Sequence, residues 1–222
     1  MSDATPDVTK LIAGLSADLR PVRRVFSPAV RTVLWCGLMM AGVVALSPLT
    51  DWHGFIIRLM STPDMAIAEI GAVLTSILAA FAAFALSVPG RSSLFSLLPL
   101  PGVLLWLGGS GMGCLREAVA PLSLTEPQGH MILCLRFLLM VSLPLGAVML
   151  FLLRRAYALL PGITTALGGL ACAGAAAVWL SLIHPFDATA SDLLSHLVAV
   201  LLIVLWVRLA GERALARYRI PK

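Results

Sequence analysis

The chain has 222 residues, of which 59% are hydrophobic and only 12% charged, with 16 Lys and Arg against 11 Asp and Glu for a formal net charge of +5. Its mean hydropathy of +0.97 exceeds that of ordinary globular domains, which excludes a soluble fold. The apolar runs are long and continuous, without ten-residue alternation, so a transmembrane barrel is excluded as well. The fold class that remains is all-α: a polytopic membrane protein built as a bundle of transmembrane helices.

The amino terminus reads DVTKLIAGLSADLRPVRRVFSP. Val8, Leu11, Ile12, Leu15 and Leu19 share one helical face, Lys10, Ser16 and Asp18 lie elsewhere, and Pro21 ends the pattern. The spacing predicts a short amphipathic helix. A helix of about a dozen residues is marginal alone in water, so it needs a surface to cover. That surface is either the membrane or an apolar groove on a soluble partner. The following RPVRR suits both, since it would lie against anionic headgroups in either case. Charges precede the first apolar run and no short hydrophobic core with a small-residue cleavage site appears, so no cleaved signal peptide is expected.

Six apolar runs follow, at 30–49, 65–88, 93–113, 131–153, 162–183 and 193–210, each near the roughly 20 residues that cross a hydrocarbon core. The expected division is a cytoplasmic arm over 1–29, a six-helix transmembrane domain over 30–210 and a basic cytoplasmic tail over 211–222. In the third run Pro99 and Pro101 should kink or break the helix near its inner third. In the fifth, Gly168, Cys172 and Ala176 recur every four residues, a small-residue stripe that lets helices approach closely. Cys36 and Cys172 read as packing residues.

Lys and Arg mark the cytoplasmic side of membrane proteins. Lys10, Arg20, Arg23, Arg24, Arg31, Arg91, Arg154, Arg155, Arg208, Arg213, Arg217, Arg219 and Lys222 fall on one side, thirteen in all, against Arg58, Arg116 and Arg136 on the other. Six spans with both termini cytoplasmic fit this asymmetry; an odd number destroys it. The inner span ends then carry only arginines that snorkel to the interface.

The polar residues of the outer layer are more varied. The triplet Cys-Leu-Arg occurs twice, at 114–116 and 134–136, at the outer mouths of spans three and four. Glu69 opens span two, His130 precedes span four, His184 and Asp187 follow span five, and Asp192 and His196 begin span six. Charged side chains within spans are costly and usually pair or mark function, which makes Glu69 and Arg136 candidate partners; a purely structural ion pair, or two residues reaching the interface, accounts for them equally. Cys114 and Cys134 admit three readings: a disulfide in an oxidising compartment, a soft ligand set for a Zn-like metal with His130, His184 or His196, or plain packing. No C-x-x-C motif decides among them. Interfacial hydrogen bonding is the simple alternative for the histidines.

LIAGLSADLRPVRR before span one, LSVPGR between spans two and three, GCLR at the outer end of span three, CLR in span four, SLP followed by LLRR at its inner end, and HPFD then SH around span six together resemble the NrsF-type membrane anti-sigma factors, the negative regulators of SigF. The resemblance covers nearly the whole chain through the order and placement of these pieces. It implies a six-span protein of the bacterial inner membrane that holds an extracytoplasmic-function sigma factor through its cytoplasmic amino-terminal segment and releases it under metal or oxidative stress. It assigns Leu11, Ile12, Leu15, Asp18, Pro21, Val22 and Arg23 to the sigma-binding segment, which Leu19 joins as a residue of the same helical face, and matches Cys134 to the family's span-four cysteine. It implies a sigma factor as partner and no direct nucleic-acid contact; membrane lipids are partners of any such bundle, and no enzymatic activity is expected because no general-base constellation faces the cytoplasm. The family's second cysteine stands beside the histidine after span five, as HCP; this chain reads HP at His184 and Pro185, which leaves Cys114 as a substitute or a different cue.

Two rival functions make other demands. A transporter of small solutes or metal ions calls for polar groups at the bilayer midplane and internal repeats, whereas the charges here stop near the outer third. A membrane thiol oxidoreductase calls for a redox pair, normally C-x-x-C, and neither that nor a quinone site is visible.

Overall fold

The computed structural model describes residues 8–17, 25–119, 129–154, 159–183 and 190–216. Eight α-helices run through them: α1 Val8–Ala17, α2 Pro28–Leu46, α3 Trp52–Ser61, α4 Pro63–Leu86, α5 Leu100–Val119, α6 Gly129–Leu153, α7 Pro161–Ile183 and α8 Ala190–Ala216. There is no strand among the described residues. Local chemistry sets the boundaries. Pro28, Pro63 and Pro161 open their helices, where the missing N–H costs nothing and the fixed φ is already helical. Ser27 caps α2 by accepting the Val30 N–H at 3.3 Å, and Asp51 caps α3 by accepting the Gly54 N–H at 3.1 Å.

The third apolar run is broken as its prolines require. Ser93–Leu97 forms a 3₁₀ turn, and the α-helix starts afresh at Leu100. Gly90, at φ 81°, makes the reversal before that turn, a left-handed conformation that favours glycine.

Five helical segments are long and apolar enough to cross a membrane: Pro28–Leu49, Pro63–Leu86, Ser93–Gly113, Leu135–Leu153 and Pro161–Ile183. The sequence predicts a sixth over 193–210. A helix does occupy that stretch, since α8 runs for 27 residues, but the described residues supply five such segments and not clearly six. The sequence also leaves 50–64 as a connection, whereas α3 fills most of it.

α4 and α7 are the centre of the bundle; α4 packs on α2, α5 and α7, and α7 also packs on α6 and α8. The end at which α2 begins and α4 stops is here the arm end, and the opposite one the far end. The α4–α5 contact is close because small residues face it. A Cβ added at Gly71, Gly102 or Gly109 would run into the backbone of Trp106, Thr75 or Ala68. On α7, Gly168, Cys172 and Ala176 are all buried, and a Cβ at Gly168 would stand 2.9 Å from Met149 of α6. The stripe does the packing that its spacing predicts.

Candidate functional site

α1 carries the apolar face expected of the arm, and none of its residues is buried. Leu11, Ile12 and Leu15 are 58%, 61% and 65% exposed. The remaining arm residues assigned by resemblance, Asp18, Leu19, Pro21, Val22 and Arg23, lie outside the described residues.

Where the arm enters the bundle, the structure corrects one expectation. Arg31, read from the sequence as a snorkelling arginine, is only 2% exposed. Its Nη1 donates to the Ser87 hydroxyl at 3.0 Å, its Nη2 to the Phe84 carbonyl at 2.9 Å, and its guanidinium lies 5.0 Å from the centre of the Phe84 ring. Ser87 donates in turn to Phe84 O at 2.7 Å. A buried guanidinium is costly unless hydrogen-bonded and electrostatically matched. Here the last turn of α4 supplies the match through unpaired carbonyls, the negative end of the helix dipole and an aromatic face. The first turn of α2 is thereby fastened to the last turn of α4.

A second polar node lies deeper. Trp35, fully buried, donates from Nε1 to the Ser76 hydroxyl at 3.1 Å, and Ser76 donates to the Ala171 carbonyl at 2.8 Å. Trp179 donates to the Met39 carbonyl at 3.0 Å. Three helices, α2, α4 and α7, are tied along about two turns of α7 by polar groups that bond one another across the bundle. Sequence reasoning did not find Arg31, Trp35, Ser76 or Ser87, because their partners lie 41 to 95 residues away.

At the far end the candidate sensor residues are placed unevenly. Glu69 lies on α4, partly buried, with its carboxyl facing Ser181 of α7; the Ser181 proton goes to the Val178 carbonyl at 2.8 Å. Arg136 is exposed on α6, which packs on α7 and α8. Among the described residues no ion pair joins Arg136 to Glu69. Cys114, His130, Cys134 and His196 fall within α5, α6 and α8, but their side chains lie outside the described residues, as does His184 altogether. Among the described side chains no group of three or more His, Cys, Asp or Glu is arranged to hold a metal ion.

The described residues thus form a packed apolar bundle with an exposed amphipathic helix ahead of it, and a family profile matches the chain. The profile described as negative regulator of sigma F, NrsF, matches residues 15–217. The chain belongs to the NrsF family. The match begins at Leu15 in the arm and ends just beyond α8, so it takes in the Arg31 contact, the Ser76 node and both Cys-Leu-Arg triplets. Leu11 and Ile12 precede it. No curated protein and no solved structure matches the chain. As an NrsF-family member the protein is a negative regulator of a sigma factor.

Proposed function

We propose that the protein is a six-span anti-sigma factor of the bacterial inner membrane, with both termini cytoplasmic, that sequesters an extracytoplasmic-function sigma factor through its arm. The observation that carries this reading is the exposed apolar face of α1. Leu11, Ile12 and Leu15 present anchors at helical spacing for a groove on the partner, and Asp18, Leu19, Pro21, Val22 and Arg23 continue the same segment. The family match names the class of partner; the thirteen-to-three distribution of Lys and Arg supports the orientation. On this reading α8 is the sixth span, residues 1–29 are the binding arm, 30–210 the anchor and 211–222 a basic tail, and the chain acts by binding alone, with no catalysis.

Release is assigned to the far end, which faces outward in this orientation. Cys114 and Cys134, with His130, His184 and His196 as co-ligands and Glu69 and Arg136 nearby, form the proposed sensor, answering either an oxidant through a disulfide or a Zn-like metal ion through thiolate and imidazole ligation. A signal there must bias the packing of the bundle to reach the arm. The Arg31 contact is where such a change would meet the arm's root. Co-expression of the tagged chain with the sigma factors of its host, followed by capture from solubilised membranes, tests the proposal: recovery of one sigma factor supports it, and recovery of none in unstressed cells contradicts it.

A further inference from the structure

We propose that α3 is a membrane-interface helix whose exposed apolar arc is seated in the phospholipid leaflet at the far end of the bundle. This rests on the reading of the bundle as membrane-spanning, but not on which side the far end faces.

The chain leaves little room for anything else. α2 stops at Leu46, a 3₁₀ turn takes up Ser47–Leu49, α3 occupies Trp52–Ser61, and α4 starts at Pro63. Only Thr50, Asp51 and Thr62 are not helical. A ten-residue helix is about 15 Å long, and this one is fixed at both ends to helices apolar enough to cross the membrane. It therefore lies at the level where those helices leave the hydrocarbon.

Its side chains divide accordingly. Phe55 is buried and turns toward the bundle, where α3 packs on α4. Trp52, Ile56 and Met60, spaced at i, i+4 and i+8, form an exposed ridge, and the exposed His53 stands at its edge between Met60 and Ile57. Met60 is 82% exposed, and Leu49, just ahead of the helix, is 73% exposed. Large apolar side chains gathered this densely rarely face water. A helix of this length needs a surface to be stable, and Phe55 alone is a small one. The flanking spans expose apolar side chains near the same end, among them Val44 close to the end of α2 and Ile70 in the second turn of α4.

Trp52 has the character of an interfacial anchor. Its Nε1 donates to the Ser47 hydroxyl at 3.0 Å, and its ring meets Phe55 edge-on, with centroids 6.2 Å apart. The indole thus keeps its polar edge satisfied while its apolar body remains exposed, the arrangement of tryptophan at headgroup depth. Opposite the ridge stand Gly54, Arg58 and Ser61, so the helix offers a polar side to headgroups and water. An amphipathic helix that lies in the interface plane has this division.

The test uses the full chain, purified and reconstituted into phosphatidylethanolamine and phosphatidylglycerol vesicles at two protein-to-lipid ratios tenfold apart. Nitroxide labels are placed by Met60→Cys on the ridge and by Ser61→Cys on the polar side, with the signal of the unsubstituted chain's own cysteines subtracted. The expected result is that the label at position 60 collides with oxygen at least about tenfold more readily than with a water-soluble nickel complex, relative to the label at 61, at both ratios. Equal nickel access at 60 and 61 overturns the proposal by placing the ridge in water. Protection of position 60 only at the higher ratio overturns it too, because a second copy of the chain is then the cover. Flotation of the protein with the vesicles is read separately: a chain that does not float refutes the membrane-spanning reading, whereas a floating chain with a wet ridge refutes the interfacial role of α3 alone.

Discussion

Arg31 in the first turn of α2 and Ser87 at the end of α4 are 56 residues apart in sequence and joined by a buried hydrogen bond of 3.0 Å. The bond sets the height of α2 against the centre of the bundle and lies a few residues past the arm in sequence. Arg31→Ala should destabilise the folded protein by about 3 kcal/mol, because it removes two hydrogen bonds to a charged group, each contributing about 1.5 to 3 kcal/mol, offset in part by the relief of the guanidinium's burial. Arg31→Lys should recover only part of this, since one ammonium cannot reproduce the two-pronged donation to Ser87 and Phe84. Thermal unfolding in detergent, compared across the wild type and both variants, checks the order.

The α4–α5 contact gives a paired prediction. Gly71→Ala puts a methyl group against the Trp106 backbone, which cannot move as a side chain can, and should cost about 1 to 3 kcal/mol. Gly108→Ala is the control on the partner helix, because a Cβ there meets nothing within 4 Å, and should stay within about 0.5 kcal/mol of the wild type. Equal effects of the two would show that α5 is not packed through Gly71.

The proposed topology rests on the arginine distribution and is checked in cells. Reporter fusions after residues 60 and 122 should be active outside the cytoplasm, and fusions after 91 and 156 inside it. A cytoplasmic signal at 122 would invalidate the outer placement of Cys114 and Cys134.

Those cysteines make the sensor testable. A membrane-impermeant thiol reagent applied to whole cells, with and without reductant and with and without added Zn, separates three states. Protection lost on reduction means a disulfide; protection gained with metal means ligation; labelling indifferent to both means packing. If Cys134→Ser changes neither labelling nor partner release under any stress, the sensor is not in the repeated triplet.

What the sequence reveals here is what local signals encode. The arm helix is visible from the spacing of Val8, Leu11, Ile12 and Leu15, and the start of α5 from Pro99 and Pro101, because each depends on residues within a few turns. α3 escaped because ten residues between two strong apolar runs pass for a loop, although Asp51 before it and Pro63 after it are ordinary boundary signals. The burial of Arg31 is not readable locally: a basic residue one turn into a span looks like an interfacial arginine until the end of α4 is brought beside it. The approach of α5 to Gly71 is equally non-local. From sequence, the candidate sensor residues have only a depth along each span, and depth alone does not say which side chains meet. Glu69 thus faces Ser181 of α7, while Arg136 is exposed on α6 and, among the described residues, makes no ion pair with it.

In the proposed function α1 holds a sigma factor by its apolar face, and binding by α1 variants decides whether it does. With Leu11→Asp and Leu15→Asp combined, the tagged chain should insert into membranes at the wild-type level, since neither residue packs in the bundle, but should lose the co-purified sigma factor by at least tenfold, as expected when anchor residues are removed from a groove. Single alanine changes at Leu11, Ile12 or Leu15 should each weaken binding by about 1 kcal/mol or more. Undiminished capture of the sigma factor by the doubly substituted chain would contradict the account, because the face that carries the proposed function would then not be the one that binds.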